Sequence, residues 1–203
     1  MQTVEVYADI TCPFTHVGLK QLVRHIAATA TPTQVIVRAW PLEWVNGAPL
    51  DGDAVMTKAA ALADQLAIDD FVGLRADRWP TSTIAALNLA ASAYEFDAAT
   101  GLAVSLELRT ALFERGEDIS DPSELATIAD RHHLPPPGNE ASTAVHADYE
   151  GGRSRGVKGS PHFFVAAHDF FCPALELGHD AQGHLTARFD AEMLAEFFAH
   201  VDA

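Results

Sequence analysis

The chain contains only two cysteines, Cys12 and Cys172, in 203 residues. Two cysteines are too few for a disulfide scaffold, and free thiols are typical of a reducing compartment. Positive charge is also scarce, since 13 lysines and arginines face 28 acidic residues and leave a net charge of −15. This composition excludes the basic surface that binding to nucleic acid or to an anionic membrane requires.

Long apolar runs are absent as well. No stretch approaches the roughly 20 residues that a membrane-spanning helix needs. Residues 1–10, MQTVEVYADI, have no basic segment, no apolar signal core and no small-residue cleavage site. We therefore expect a cytoplasmic protein. With 48% hydrophobic residues, the chain can bury a substantial core and form one domain, or one domain with a large insertion.

The most informative segment that is present is VEVYADITCPFTHVGLK, residues 4–20. Its apolar residues alternate with Glu5 and Asp9, which is the pattern of a half-buried strand. Pro13 suits the first position of a helix, because the N–H it lacks would be unpaired there anyway. Cys12 would then lie where helix N–H groups and the positive end of the helix dipole favour a thiolate. The segment predicts a nucleophilic sulfur, although a lone cysteine is also often a small buried hydrophobe.

A second segment, GVKGSPHFFV at residues 156–165, lies far downstream. A glycine-bearing loop followed by Ser160, Pro161 and an aromatic run predicts a loop that leads into a strand, since proline is tolerated at a strand's first residue. The aromatic run from Phe170 to Cys172 completes a candidate β-hairpin.

The intervening chain changes from strand to helix. Residues 34–40 predict a second strand, parallel to the first through a βαβ crossover. Residues 53–152 read as almost wholly helical. The expected helix boundaries are Asp53, Thr81 or Ser82, Asp121 and Asp190 as N-terminal caps, and Gly116 as a C-terminal cap.

Both segments resemble motifs of the thioredoxin superfamily, and within it of the DsbA/FrnE-like branch. Cys12-Pro13-Phe14-Thr15 is similar to that branch's Cys-Pro-aromatic-X motif, and residues 156–161 to its Gly-Val-X-Gly-X-Pro loop with a cis-proline. Residues 84–134 resemble its helical insertion. The likeness covers nearly the whole chain.

The resemblance implies an α/β, thioredoxin-like fold with a large all-helical insertion. Residues 1–50 and 153–203 would form the thioredoxin-like domain, and residues 51–152 the helical insertion subdomain. Cys12 would lie in a cleft between the two parts, since ligand sites favour subdomain interfaces.

The function implied is that of a thiol-disulfide oxidoreductase or thioltransferase. Thr15 stands where disulfide-handling members carry a second cysteine, so Cys12 would form a mixed disulfide or another adduct that a low-molecular-weight thiol such as glutathione releases. Cys12, Pro13 and Thr15 are the expected catalytic residues, with Thr15 donating a hydrogen bond to the sulfur and the first-turn amides stabilising its charge. Ser160, before a cis-Pro161, would offer main-chain hydrogen bonds to a bound thiol.

Four further residues are candidates for the site, and three of them have two interpretations. Phe14, His16 and His162 are candidates for substrate or thiol binding. Protonated His16 would help to hold the thiolate, unless it is a solvent-exposed bystander, and His162 would line the pocket unless it faces solvent. Cys172 would either resolve a Cys12 adduct or fill a buried position beside an edge strand.

Other classes of function remain open. A glutathione-dependent isomerase or a kappa-class-like transferase is one alternative, although those relatives carry serine where this chain has Cys12. A non-catalytic peptide-binding module is another. We expect a small thiol or disulfide as partner and leave a homodimer open. We expect no metal site, because Cys172, His179 and His184 together do not match the short paired spacings of zinc ligands, and His132 and His133 are adjacent and diverge on a helix.

Overall fold

The computed structural model describes all 203 residues and has an α/β architecture. The strands are β1 (Gln2–Ala8), β2 (Thr33–Ala39), β3 (His162–Val165), β4 (His168–Phe171), β5 (Leu175–His179) and β6 (Leu185–Phe189). The α-helices are α1 (Pro13–Thr29), α2 (Leu42–Asn46), α3 (Gly52–Leu66), α4 (Ile84–Phe96), α5 (Ala98–Thr110), α6 (Pro122–Arg131), α7 (Thr143–Ser154) and α8 (Ala191–Val201). A 3₁₀ turn spans Ala76–Arg78, and a π-helical turn spans Ala111–Arg115.

The main sheet has the strand order β2-β1-β3-β4. β1 runs parallel to β2, in register from Gln2 opposite Thr33 to Ala8 opposite Ala39, and antiparallel to β3. The expected βαβ crossover and the hairpin of β3 and β4 are therefore confirmed. The thioredoxin-like fold expected from the sequence is confirmed with them.

The hydrophobic core has two parts. One part has twelve buried residues, among them Val4, Val6 and Phe163 of the strands, Leu22 of α1 and Phe197 of α8. A second group of 28 buried residues belongs mostly to the helical segment, but it also takes in residues of β5 and β6. The helical segment thus shares its core with the rest of the chain, and the division at residues 51 and 152 stays a prediction.

Two predicted helix caps were wrong. The carboxylate that caps α3 is Asp51, whose Oδ1 accepts from the Ala54 N–H at 2.8 Å, and Asp53 lies in the first turn. α4 begins after Thr83, while Ser82 Oγ still accepts from the Ile84 N–H at 3.2 Å. Asp121 and Asp190 cap α6 and α8, and Gly116 closes the π-helical turn at φ 68°, as predicted.

The C-terminal hairpin differs in its bounds. β4 begins at His168 and stops before Cys172, because Cys172 adopts a left-handed φ of 51° that a strand cannot continue through. The two-stranded sheet of β5 and β6 was not predicted from the sequence, since only short and mostly exposed segments form it.

None of the helices is long and apolar enough to cross a bilayer.

Candidate active site

Cys12 lies at the junction of β1 and α1. It is the N-cap residue of α1, with Pro13 at the first helical position, as the sequence predicted. Only 4% of Cys12 is exposed, so the sulfur is covered in this conformation rather than lying in an open cleft. Its side chain makes no capping hydrogen bond to the helix. Instead, Sγ donates to the carbonyl oxygen of Ser160 at 3.0 Å, a bond that requires the protonated sulfur.

The loop before β3 reaches this sulfur from the far end of the chain. The Ser160–Pro161 peptide bond is cis. Ser160 Oγ accepts from the Asp9 N–H at 3.0 Å and pairs with the Thr15 hydroxyl at 2.8 Å. The structure therefore brings Cys12, Thr15, Ser160 and Pro161 together, although residues 12 and 160 are far apart in sequence.

The expected hydrogen bond from Thr15 to the Cys12 sulfur is not present. The Thr15 side chain is fully buried, and its hydroxyl is directed to Ser160 Oγ. Thr15 thus contacts the loop that faces the sulfur. The neighbouring Phe14 is half-buried and packs against the larger hydrophobic cluster.

Asp9 is a site residue that the sequence analysis misplaced. The alternating pattern put it on the solvent side of a strand, but β1 ends at Ala8 and Asp9 has no exposed surface. Its Oδ1 accepts from the Thr11 N–H at 2.8 Å and the Thr11 hydroxyl at 2.6 Å. Its Oδ2 accepts from the Leu42 N–H at 2.8 Å and the Thr83 hydroxyl at 3.1 Å. These four bonds fix the short loop that carries Cys12.

Arg109, on α5, is a second residue that the sequence did not reveal. It is 1% exposed, and its Nη1 donates to the carbonyl and the hydroxyl of Ser105, both at 2.7 Å. Burial lowers the pKa of Arg109 to about 10, against the opposing influence of Asp9, Tyr94 and Cys12. The guanidinium therefore stays charged at neutral pH, within electrostatic range of the Cys12 sulfur.

Both interpretations of His16 were wrong. The ring is 2% exposed and lies between Phe113 and Phe71, with centroids 5.0 and 5.7 Å away. Burial first, and then the charge of Lys20, lower the pKa of His16 to about 4. A neutral imidazole cannot stabilise a thiolate as a cation would.

His162 does not face solvent either. It is 1% exposed, its Nε2 lies 2.8 Å from Asp169 Oδ1, and its Nδ1 accepts from the Lys158 N–H at 3.2 Å. Burial lowers the pKa of His162 and outweighs the opposite influence of Asp169. In this structure His162 holds the start of the cis-proline loop against β4.

Cys172 lies close to the same loop. Its N–H donates to the Pro161 carbonyl at 3.0 Å, both cysteines are free thiols, and Cys172 is 8% exposed. Burial, and then the negative charge of a Cys12 thiolate, raise the pKa of Cys172 to about 12. Cys172 is thus within electrostatic range of Cys12 and stays a neutral thiol at physiological pH, while a resolving role stays a prediction.

Solved structures with this fold have different activities. A 2-hydroxychromene-2-carboxylate isomerase has a TM-score of 0.63 at 15% identity, over 83% of this chain and 88% of its own. A protein described as a probable DsbA oxidoreductase from Streptomyces coelicolor has a TM-score of 0.58 at 20% identity, over 84% of this chain and 83% of its own. The cytosolic disulfide reductase DsbM from Pseudomonas aeruginosa has a TM-score of 0.57 at 18% identity, over 96% of this chain and 92% of its own. At these identities the likeness establishes the fold alone.

No protein with a curated description is significantly similar to the chain in sequence. A family model does match residues 3–182, which include Cys12, the helical segment and the cis-proline loop. The match covers most of the chain, and it agrees with the sheet order and the site geometry described above. The chain belongs to the DSBA-like thioredoxin domain family.

Proposed function

We propose that the protein is a thiol-disulfide oxidoreductase or thioltransferase that acts through Cys12 and a low-molecular-weight thiol such as glutathione. One observation carries the proposal: at the N-terminus of α1, the free Cys12 sulfur lies 3.0 Å from the Ser160 carbonyl, beside the cis peptide to Pro161. The sulfur thus adjoins main-chain atoms that can hold an extended thiol or disulfide, which is the arrangement that the family resemblance implies.

The reaction has two exchange steps. The Cys12 thiolate attacks one sulfur of a disulfide, forms a mixed disulfide and expels the other sulfur as a thiolate. A thiolate of the soluble thiol then attacks the bound sulfur, forms a new soluble disulfide and returns Cys12 as a thiolate. The electron pair comes from the soluble thiol, so no second cysteine at position 15 is required.

Residues around the sulfur support this chemistry. The Cys12 sulfur lies at the positive end of the α1 dipole and within electrostatic range of the buried Arg109 guanidinium. In the thiolate the Cys12 sulfur no longer donates to the Ser160 carbonyl, and that oxygen becomes free for an N–H of the incoming thiol. Thr15 and Asp9 hold Ser160 Oγ from two sides and so fix the loop for that contact.

A reducing compartment such as the cytoplasm suits this function. Both cysteines are free and buried, and neither forms a structural disulfide. The DsbM neighbour is described as cytosolic, and one of its structures is described as a complex with GSH, which supports glutathione as the thiol.

The test is a thioltransferase assay with glutathione and a small symmetric disulfide, which follows the formation of glutathione disulfide. We expect turnover by the intact protein, no turnover by Cys12→Ser, and nearly unchanged turnover by Cys172→Ser. Cys172→Ser is the matched control, because it removes the other buried thiol. Turnover that survives in Cys12→Ser would overturn the proposal.

The likeness to an isomerase fold favours one rival function. In that case a bound thiol is a cofactor and Cys12 only orients it, so Cys12→Ser would keep isomerase turnover on an aromatic substrate. A peptide-binding module is the remaining rival. A Cys12→Ala protein that still binds its partner, with no exchange activity in either form, would favour that module.

A further inference from the structure

Three side chains, one of them on α1, lie close together near the start of that helix. His16, Asp70 and Glu114 each offer one ligand atom, and these atoms lie within 4.8 Å of one another. We propose that these three residues bind a divalent cation of the zinc class, which displaces the ammonium of Lys20. The proposal does not depend on the thiol chemistry of Cys12.

His16 supplies the observation that points to a ligand. The ring is 2% exposed, and neither of its nitrogens has a hydrogen-bond partner. Its Nε2 approaches Glu114 Oε1 to 3.1 Å, but the contact lacks hydrogen-bond geometry. A buried ring without partners is rare in folded proteins, and neutral imidazole is the form that coordinates metals.

The main chain holds the two carboxylates in place. Glu114 lies in the π-helical turn, a feature often found at functional sites. The Gly73 N–H, three residues after Asp70, donates to the carbonyl of Phe113 at 3.2 Å. A Cβ on Gly73 would lie only 2.1 Å from the Glu114 carbonyl oxygen, so glycine is needed for this close approach. The loop that carries Asp70 is therefore locked against the turn that carries Glu114.

The charges in the cluster favour a doubly charged ion. Asp70 is 3% exposed and Glu114 30% exposed, and the Lys20 ammonium donates to both carboxylates. One ammonium neutralises only one of two carboxylates, and the imidazole is neutral. A divalent cation would balance both negative charges. One nitrogen and two oxygen ligands, with water in a fourth position, match the coordination that zinc takes in proteins.

Lys20 can leave without disrupting the core. Its side chain is 24% exposed. A groove of about 220 Å³, lined by His16, Lys20 and Thr110 among others, opens beside the cluster. The groove gives a cation a path to His16, and it gives the Lys20 stem a path to water.

The test is a titration of the full chain with Zn²⁺ by calorimetry, and with Co²⁺ by visible absorption, after treatment with a chelator. We expect one ion per chain, bound about tenfold more weakly by Glu114→Gln. Lys20→Met should bind the ion about tenfold more tightly, because the competing ammonium is gone. His184→Ala is the control, since His184 is an exposed histidine paired with Asp180 at 3.1 Å, and it should change nothing.

Three results would overturn the proposal. The first is no binding by either the intact chain or Lys20→Met, which would leave the cluster as an ion pair only. The second is that Glu114→Gln and His16→Gln bind the ion as tightly as the unaltered chain. Because His16 is buried, circular dichroism verifies that His16→Gln is folded. If His16→Gln unfolds, the affinity of Glu114→Gln decides alone. The third is a sulfur-to-cobalt charge-transfer band that is lost in Cys12→Ser, which would place the metal on the thiol.

Discussion

Arg109 donates a hydrogen bond from Nη2 to the main-chain oxygen of Asp9, 3.2 Å away, where the chain leaves β1 on its way to Cys12. Neither residue has more than 1% of its surface exposed. Helix α5 thus holds the loop that carries the sulfur. The same guanidinium supplies a fixed positive charge near that sulfur. Helix α5 therefore takes part in the site directly, through its charge and through its hydrogen bond to the loop.

Replacing Arg109 with methionine removes this charge and leaves the main-chain oxygen of Asp9 without its buried donor. We expect the free energy of unfolding to fall by about 2 kcal/mol, because the Ser105 and Asp9 carbonyl oxygens lose a buried hydrogen-bond donor. We also expect iodoacetamide to alkylate Cys12 more slowly at neutral pH, because a positive charge near the reacting sulfur is removed. Urea unfolding and alkylation kinetics in a Cys172→Ser background measure the two effects.

Arg188 offers the matched control, since its side chain is 74% exposed and pairs with Glu176 at the surface. Arg188→Met should change stability by less than about 1 kcal/mol and leave alkylation unchanged. If Arg109→Met alkylates as fast as the unaltered chain, the guanidinium does not act on the sulfur.

The fold was largely predictable because its signals are local. Three signals each determine a short stretch of chain. They are the period of the apolar residues around Cys12, the proline at the first helical position, and the Ser160–Pro161 loop before an aromatic run. The order of those stretches then determines the sheet. The hairpin of β5 and β6 escaped prediction because few of its residues are buried, so it shows little apolar periodicity.

The electrostatics of the site were not predictable in the same way. Asp9 follows a strand whose alternation puts it outside, and only tertiary contacts with Leu42 and Thr83 make burial of its carboxylate favourable. Arg109 lies on helix α5, and a long basic residue on a helix normally faces water. Asp70 and Glu114 come from separate elements, and no sequence spacing connects them with His16.

Thr15 should act through Ser160 rather than through the sulfur. Thr15→Val keeps the buried volume nearly unchanged but removes the hydroxyl pair with Ser160 Oγ, and we expect a loss of about 1 kcal/mol of stability. We expect thioltransferase turnover to fall about fivefold, because the loop beside Cys12 is held less firmly. Thr15→Ser retains a hydroxyl and should restore most of the turnover. If the valine and serine variants behave alike, the loss comes from packing and not from the hydrogen bond.

Cys172 should make the protein less stable in alkali. Its folded pKa is about 12, above the ordinary thiol value of 9.0, so the folded state keeps a proton that the unfolded state loses. This contribution is fully present below pH 9 and is lost as the pH rises from 9 toward 12, by about 1.4 kcal/mol for each pH unit. We expect the free energy of unfolding, measured with urea, to fall more between pH 9 and pH 10 in the intact chain than in Cys172→Ala. An equal fall in the free energy of unfolding of the two proteins would show that the Cys172 thiol ionises as easily in the folded state as in the unfolded state.

The same raised pKa bears on how a Cys12 adduct is released. A neutral thiol is a poor nucleophile, so Cys172 should not displace glutathione from Cys12 at neutral pH, although its N–H lies beside the Pro161 carbonyl. After treatment with glutathione disulfide, we expect the intact mass to show one glutathionyl group on Cys12, both in the unaltered chain and in Cys172→Ser. Thr15→Cys serves as the positive control: cysteines three residues apart at a helix start lie within the roughly 7 Å that a disulfide needs, so it should lose two hydrogens and carry no adduct. The same loss of two hydrogens in the unaltered chain, abolished in Cys172→Ser, would instead identify Cys172 as the resolving cysteine and would require the segment after β4 to move toward Cys12.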